Sequence, residues 1–379
     1  MKTTSFLALF IFFSAFLQAQ GTGTKLSLGL AVDTTDADIA SVVRLWGDYL
    51  ASNPDSSTGD PFWLTAEKER YPKHDFLNTV YFSPSLYYFL RYNKPTVMSV
   101  FKADSGYIIR TLLASVMDSG YARPFCITRV MAKKEKGEWR LCNVLPYSTR
   151  SWHREIVGKI TFVFPPDHAF NRPLAERMNA FVDSLALRWH VRPFPIEFYL
   201  ADDLSDIMTM RGFDFYVGES YNRGTGGLAD VANHIVFGAG QDEWYPHEFV
   251  HLIVKPLFPN AHYYFHEGYA ALVGGSRGHD IMWHMKRIKK YLDDHPELDL
   301  NDVLNFGHFD AETDPKYVFG GLICRLALEK GGETSLRALF SFGGDDKDFY
   351  AAVEAVLGVK QENLNAYLRR ELAAAVIER

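Results

Sequence analysis

Between Asp36 and Ala51 the apolar residues Ile39, Val42, Val43, Leu45, Trp46 and Leu50 recur near helical spacing, which predicts an amphipathic helix. The rhythm then changes. Residues 52–62 are rich in Ser, Asp, Gly and Pro and read as a loop. Beyond them lie strand-like runs. Thr96 to Ala103 and Tyr107 to Ala114 flank the turn Asp104-Ser105-Gly106, and Phe125 to Ala132 and Trp139 to Leu145 flank the charged turn from Lys133 to Gly137. A helix followed by a sheet predicts a small α+β accessory domain over 21–150.

A second unit is expected over 151–379. Its first part alternates between strands and helices: a strand from Lys159 to Phe164, a helix from Arg172 to His190, a strand from Ile196 to Leu200 and a short helix from Asp202 to Met210. Gly224 to Gly227 reads as a glycine-rich turn, with no following Lys-Ser or Lys-Thr to make it a phosphate loop. Ala232 to Phe237 reads as a strand, and as a free sheet edge it would suit an extended peptide. After residue 277 the pattern is mostly helical. One helix spans Asp280 to Leu292. A second is capped by Asp314-Pro315, runs to Lys330 and stops at Gly331-Gly332. Two more lie near 345–357 and 361–376. The fold class expected for the whole chain is α+β: a helix-plus-curved-sheet domain, then a small mixed sheet, a helix bearing the chemistry and a mostly helical C-terminal half.

The N-terminus is patterned differently. Met1-Lys2 precedes the apolar run Phe6 to Phe13 and a small or polar exit through Gln20, which reads as a signal peptide over 1–20 and implies export to the periplasm or the extracellular space. The run is short for a membrane span, so no stable membrane insertion is expected. Lys and Arg number 40 against 46 Asp and Glu, a net charge of −6, which argues against a nucleic-acid partner held by bulk attraction. The three cysteines, Cys126, Cys142 and Cys324, form no disulfide framework. Cys126 and Cys142 flank a hairpin, and the sequence leaves open whether they pair.

The sharpest chemistry lies in His247-Glu248-Phe249-Val250-His251, followed by Glu267 within Phe265-His266-Glu267-Gly268-Tyr269-Ala270. On a helix, positions i and i+4 share a face, so both imidazoles can reach one ion while Glu248 stands beside it. Two His and one carboxylate are a standard ligand set for a zinc ion that keeps a fourth position open. The expectation is one Zn2+ held by His247, His251 and Glu267, with Glu248 as general base. The helix is expected to begin at Asp242-Glu243 and to stop at Pro256, and Glu267 to open a second apolar helix.

Three segments, HEFVH, FHEGYAAL and YVFGGLICRLAL, make the stretch 155–375 resemble the glutamate-zincin (gluzincin) metallopeptidases, most closely the aminopeptidase N-like branch. The resemblance implies a zinc metallopeptidase acting on a peptide or protein substrate, with the same three ligands and the same base. It also implies that Tyr317, in Tyr317-Val318-Phe319-Gly320-Gly321, steadies the oxyanion. Some family features are missing. Gly227-Leu228-Ala229-Asp230 lacks the glutamate with which that branch grips a free amino terminus. His266 replaces the usual Asn. Ala271 stands where thermolysin-like members carry an acid that braces a ligand, so the bracing group must come from elsewhere. The order of elements over 21–150, closing on GEWRLCNV, is similar to the nuclear transport factor 2-like folds. The main functional expectation is a secreted zinc peptidase. The alternative is a non-catalytic protein that uses a zincin scaffold to hold a peptide or another ligand.

Overall fold

The computed structural model describes residues 26–52, 54, 60–78, 86–117, 120–217, 224–307 and 309–377. The expected signal segment and most of the 52–62 loop lie outside them. The strands are β1 (Ser27–Leu28), β2 (Lys94–Ala103), β3 (Gly106–Val116), β4 (Ala122–Glu135), β5 (Glu138–Cys142), β6 (His153–Val157), β7 (Ile160–Phe164), β8 (Ile196–Ala201), β9 (Phe213–Tyr216), β10 (Gly226–Asp230) and β11 (Ile235–Ala239). The helices are α1 (Ala37–Ala51), α2 (Thr65–Arg70), α3 (Leu145–Ser148), α4 (Arg172–Trp189), α5 (Leu204–Met210), α6 (Pro246–Val254), α7 (Tyr263–Gly274), α8 (Ile281–Asp294), α9 (Pro315–Phe340), α10 (Asp346–Leu357) and α11 (Leu364–Ile377). The architecture is mixed α and β, with two small mixed sheets and a mostly helical C-terminal half.

The chain divides into two compact units, Met1–Tyr147 with Met208–Ser220, and Ser148–Ile207 with Tyr221–Arg379. In the first, β1 to β5 follow one another across a sheet, and β9 returns to pair with β4 through Cys126, Ile127 and Thr128. A cut at residue 150 leaves that returning strand out of the sheet it completes. Register shifts at Val97/Ser99, Leu113/Ala114 and Ile127/Thr128 interrupt the ladders, and such irregularities bend a sheet. α1 lays Val42, Trp46, Tyr49 and Leu50 against Val97, Ile109, Leu113 and Val130. The buried Trp46 indole is satisfied by donating to Thr111 Oγ1 at 2.9 Å.

In the second unit the sheet order is β10-β11-β8-β7-β6. The three central strands are parallel and the two outer ones antiparallel to their neighbours. Phe162, Phe198 and Val236 from the strands share a core with Met178 and Val182 of α4 and Phe249 and Val250 of α6.

Several elements differ from the sequence reading. Gly226-Gly227 begins strand β10 rather than forming a turn. At Gly227 a side chain is excluded, because a Cβ would come 2.2 Å from the Tyr245 ring, so glycine here marks close packing. The strand before α6 starts at Ile235 and is interior; the sheet edge is β10. β6 shows no apolar alternation in the sequence because it is an edge strand whose residues are mostly exposed. β5 ends at Cys142, and Leu145 opens α3. Gly331 and Gly332 leave helical geometry and interrupt α9 where the sequence places its stop; what the sequence reading lacks is the second helical segment directly beyond them, which buries Leu336, Leu339 and Phe340. Cys126 and Cys142 are buried free thiols. Met131 is the residue facing Cys142, so Cys126 stands five positions up the strand, about 17 Å away, and a disulfide cannot span that.

Candidate metal centre

α6 starts at Pro246, whose fixed φ suits a first helical position. Asp242 and Glu243 lie before it. Glu243 is buried, and its Oε1 accepts from the Asn171 backbone N–H at 3.0 Å and lies 2.8 Å from His168 Nε2, a tie to the start of α4. Phe249 anchors α6 to the sheet by packing edge-on against Phe198. That fixes the rotation of the helix and turns His247, Glu248 and His251 the other way. Both histidines are buried and Glu248 is half-buried, with the imidazoles 5.0 Å apart.

Glu267 lies in the second turn of α7, which begins at Tyr263 rather than at Glu267. Its Oε2 is 3.4 Å from His247 Nε2 and 3.5 Å from His251 Nε2. Donor atoms of the three residues all lie within 4.8 Å of one another. Tetrahedral ligands with bonds of about 2.1 Å sit about 3.4 Å apart, so this spacing matches a zinc coordination shell.

The protonation pattern also fits a cation. His247 Nδ1 is 2.7 Å from the Gly275 carbonyl oxygen. A carbonyl only accepts, so Nδ1 carries the hydrogen and the neutral ring aims a bare Nε2 lone pair at a carboxylate oxygen. That contact is favourable when a cation or a shared proton lies between the two atoms. Without an ion, burial disfavours a charged His247, but the hydrogen bond to Glu267 and the charges of Glu248 and Glu267 outweigh it and raise its pKa above the ordinary value. Burial likewise opposes ionisation of Glu267, yet His251 and His247 hold its carboxyl well below the usual range. His251 Nδ1 is buried with no hydrogen-bond partner. Lys255 Nζ stands 3.9 Å from Glu267 Oε1, on the carboxylate's other oxygen.

Tyr317 lies in the first turn of α9, just after the N-cap Asp314, whose Oδ1 accepts from the Lys316 N–H at 3.0 Å. It packs against His247. Burial, then the charges of Glu267, Asp314 and Glu248, raise the pKa of its phenol, so the O–H stays intact and can donate. Glycines bring α9 this close to α7. A Cβ on Gly268 would fall 2.1 Å from the Gly320 carbonyl carbon, and one on Gly320 would fall 2.2 Å from the Tyr264 carbonyl oxygen. The residue after Glu267 and the third after Tyr317 thus form the crossing point of the two helices.

The structure brings His247, His251 and Glu267 together, with Tyr317 beside them. The brace that the sequence reading could not name is the Gly275 carbonyl.

No protein-family model and no curated protein matches the chain. Among solved structures it is similar to an M1 zinc metallopeptidase from Deinococcus radiodurans, at 14% identity over 74% of this chain with a TM-score of 0.31. The matched part spans 62% of that protein's length. Among the described residues, no helix is long and apolar enough to cross a membrane.

Proposed function

We propose that this chain is a zinc-dependent peptidase that hydrolyses peptide bonds, exported by its N-terminal segment. The observation that carries the reading is the convergence of His247 Nε2, His251 Nε2 and Glu267 Oε2 at coordination spacing, with His247 held in the right tautomer by Gly275. Zinc bound there would supply Lewis-acid chemistry, polarising a carbonyl and acidifying water. Glu248 would take a proton from the attacking water and deliver it to the leaving amine. The Tyr317 hydroxyl would donate to the carbonyl oxygen as it gains charge, an interaction that strengthens only toward the transition state. The edge strand β10 offers backbone groups along which an extended substrate can lie.

The test is metal content and turnover of the purified protein on a mixed peptide library. One equivalent of zinc and cleavage that a chelator abolishes are expected. Glu248→Gln should keep the zinc and lose the cleavage. Zinc bound with no peptide cleaved would favour a binding protein, and full activity in Glu248→Gln would reject the base.

A further inference from the structure

We propose that His284, far from the zinc-binding segment in sequence, is a positioning residue that locks the brace of His247 to the start of the Tyr317 helix. The inference rests on the zinc reading above. His284 is fully buried on α8, and both ring nitrogens are engaged. Nε2 is 3.0 Å from the Ser276 carbonyl oxygen and Nδ1 is 3.0 Å from Thr313 Oγ1. The chemistry of the partners sets every hydrogen. A carbonyl only accepts, so Nε2 carries the proton and Nδ1 must accept from the threonine hydroxyl. That hydroxyl in turn accepts from Arg287 Nε at 3.1 Å, since a guanidinium only donates. With the imidazole neutral, the direction of donation is thus Arg287 to Thr313 to His284 to Ser276.

The two ends of this chain lie at the site. Ser276 follows Gly275, whose carbonyl accepts from His247, and Ser276 and His279 exchange two backbone hydrogen bonds of 2.9 Å that close the turn between them. Thr313 precedes Asp314, the N-cap of the helix that carries Tyr317, and its own N–H donates to Asp310 Oδ1 at 2.7 Å. A single imidazole therefore spans the segment that orients a ligand and the segment that sets the phenol. A leucine would fill similar space but could join neither end. A glutamine can offer Ser276 an N–H.

The experiment uses the full chain, stripped of metal, with Zn2+ titrated against a chromophoric chelator and Co2+ loaded for its visible absorption spectrum. His284→Leu should bind Zn2+ about 10- to 100-fold more weakly and shift the Co2+ bands, and His284→Gln should recover most of both. A folded His284→Leu protein with wild-type Zn2+ affinity and an unchanged Co2+ spectrum would overturn the proposal. If that variant does not fold, Thr313→Val takes its place. It should weaken Zn2+ binding in the same direction, and wild-type values in it would overturn the proposal equally. A wild-type protein that takes up no Zn2+, or a His247→Ala variant that binds it normally, would instead overturn the zinc reading itself.

Discussion

The Tyr317 ring packs edge-on against the His247 imidazole, with centroids 5.7 Å apart and planes at 67°. The proposed oxyanion donor thus rests on a proposed ligand, and the glycine crossing of α7 and α9 holds both in place. Substitutions at the phenol and at the crossing should therefore have separable effects.

Removing only the Tyr317 hydroxyl leaves that ring contact intact. Tyr317→Phe should lower kcat about 10²- to 10³-fold on any peptide the wild type cleaves, as loss of one oxyanion donor does. KM and Zn2+ affinity should hardly change. Steady-state kinetics beside a chelator titration check this, and wild-type kcat would remove Tyr317 from the mechanism.

At the crossing, Gly268→Ala adds one methyl where backbone atoms already occupy the space. Overpacking of this kind costs about 1–3 kcal/mol. Urea unfolding should report that loss, and the same variant should lose kcat because Tyr317 moves away from Glu267. A stable and fully active Gly268→Ala protein would contradict the close approach.

Only the folded chain holds the three donors within coordination distance, so an ion bound there should stabilise the fold by mass action. At about a thousandfold excess over Kd, zinc would contribute about 4 kcal/mol. Chelation should lower the thermal midpoint of the wild type and leave that of His247→Ala unmoved. Calorimetric scans with and without chelator provide the comparison.

Burial pushes the His284 imidazole below its ordinary value of 6.5. The folded state therefore favours the neutral ring, which donates to Ser276 and accepts from Thr313. A group with a depressed folded pKa contributes in full above the unfolded value, and its contribution shrinks as pH falls toward the folded one. In the metal-free protein, the stability gap between wild type and His284→Gln should be widest above pH 6.5 and narrow as pH falls below it. A gap that stays constant across thermal scans in this range would show that His284 does not titrate with folding.

What was legible in the sequence follows from where each signal lives. The i, i+4 spacing of His247 and His251 is a side-chain pattern, and it survives translation into one helix face. Helix α1 announced itself because its apolar stripe faces a single core, and Asp36 caps it by accepting from Asp38 and Ile39. The Gly275 brace left no trace, because a backbone carbonyl has no residue type. His284 looked like any other histidine, since its importance lies in two partners 8 and 29 residues away. Glycine was a sound stop signal at Gly331-Gly332, where the backbone leaves helical geometry, and a misleading turn signal at Gly226-Gly227, where it belongs to a strand packed close to Tyr245.

The route of the chain into β9 bears on how this protein can be made and cut. The sheet of the first unit lacks its last strand until residue 216 has been synthesised, by which time three strands of the other sheet have already emerged. The first unit is therefore not a bead that a ribosome can finish before starting the next. An expression fragment ending near 150 would bare the Cys126–Thr128 backbone, and a fragment starting there would carry an orphan hydrophobic strand. Each is open to aggregation through an unpaired edge, so the two units are to be produced as one polypeptide.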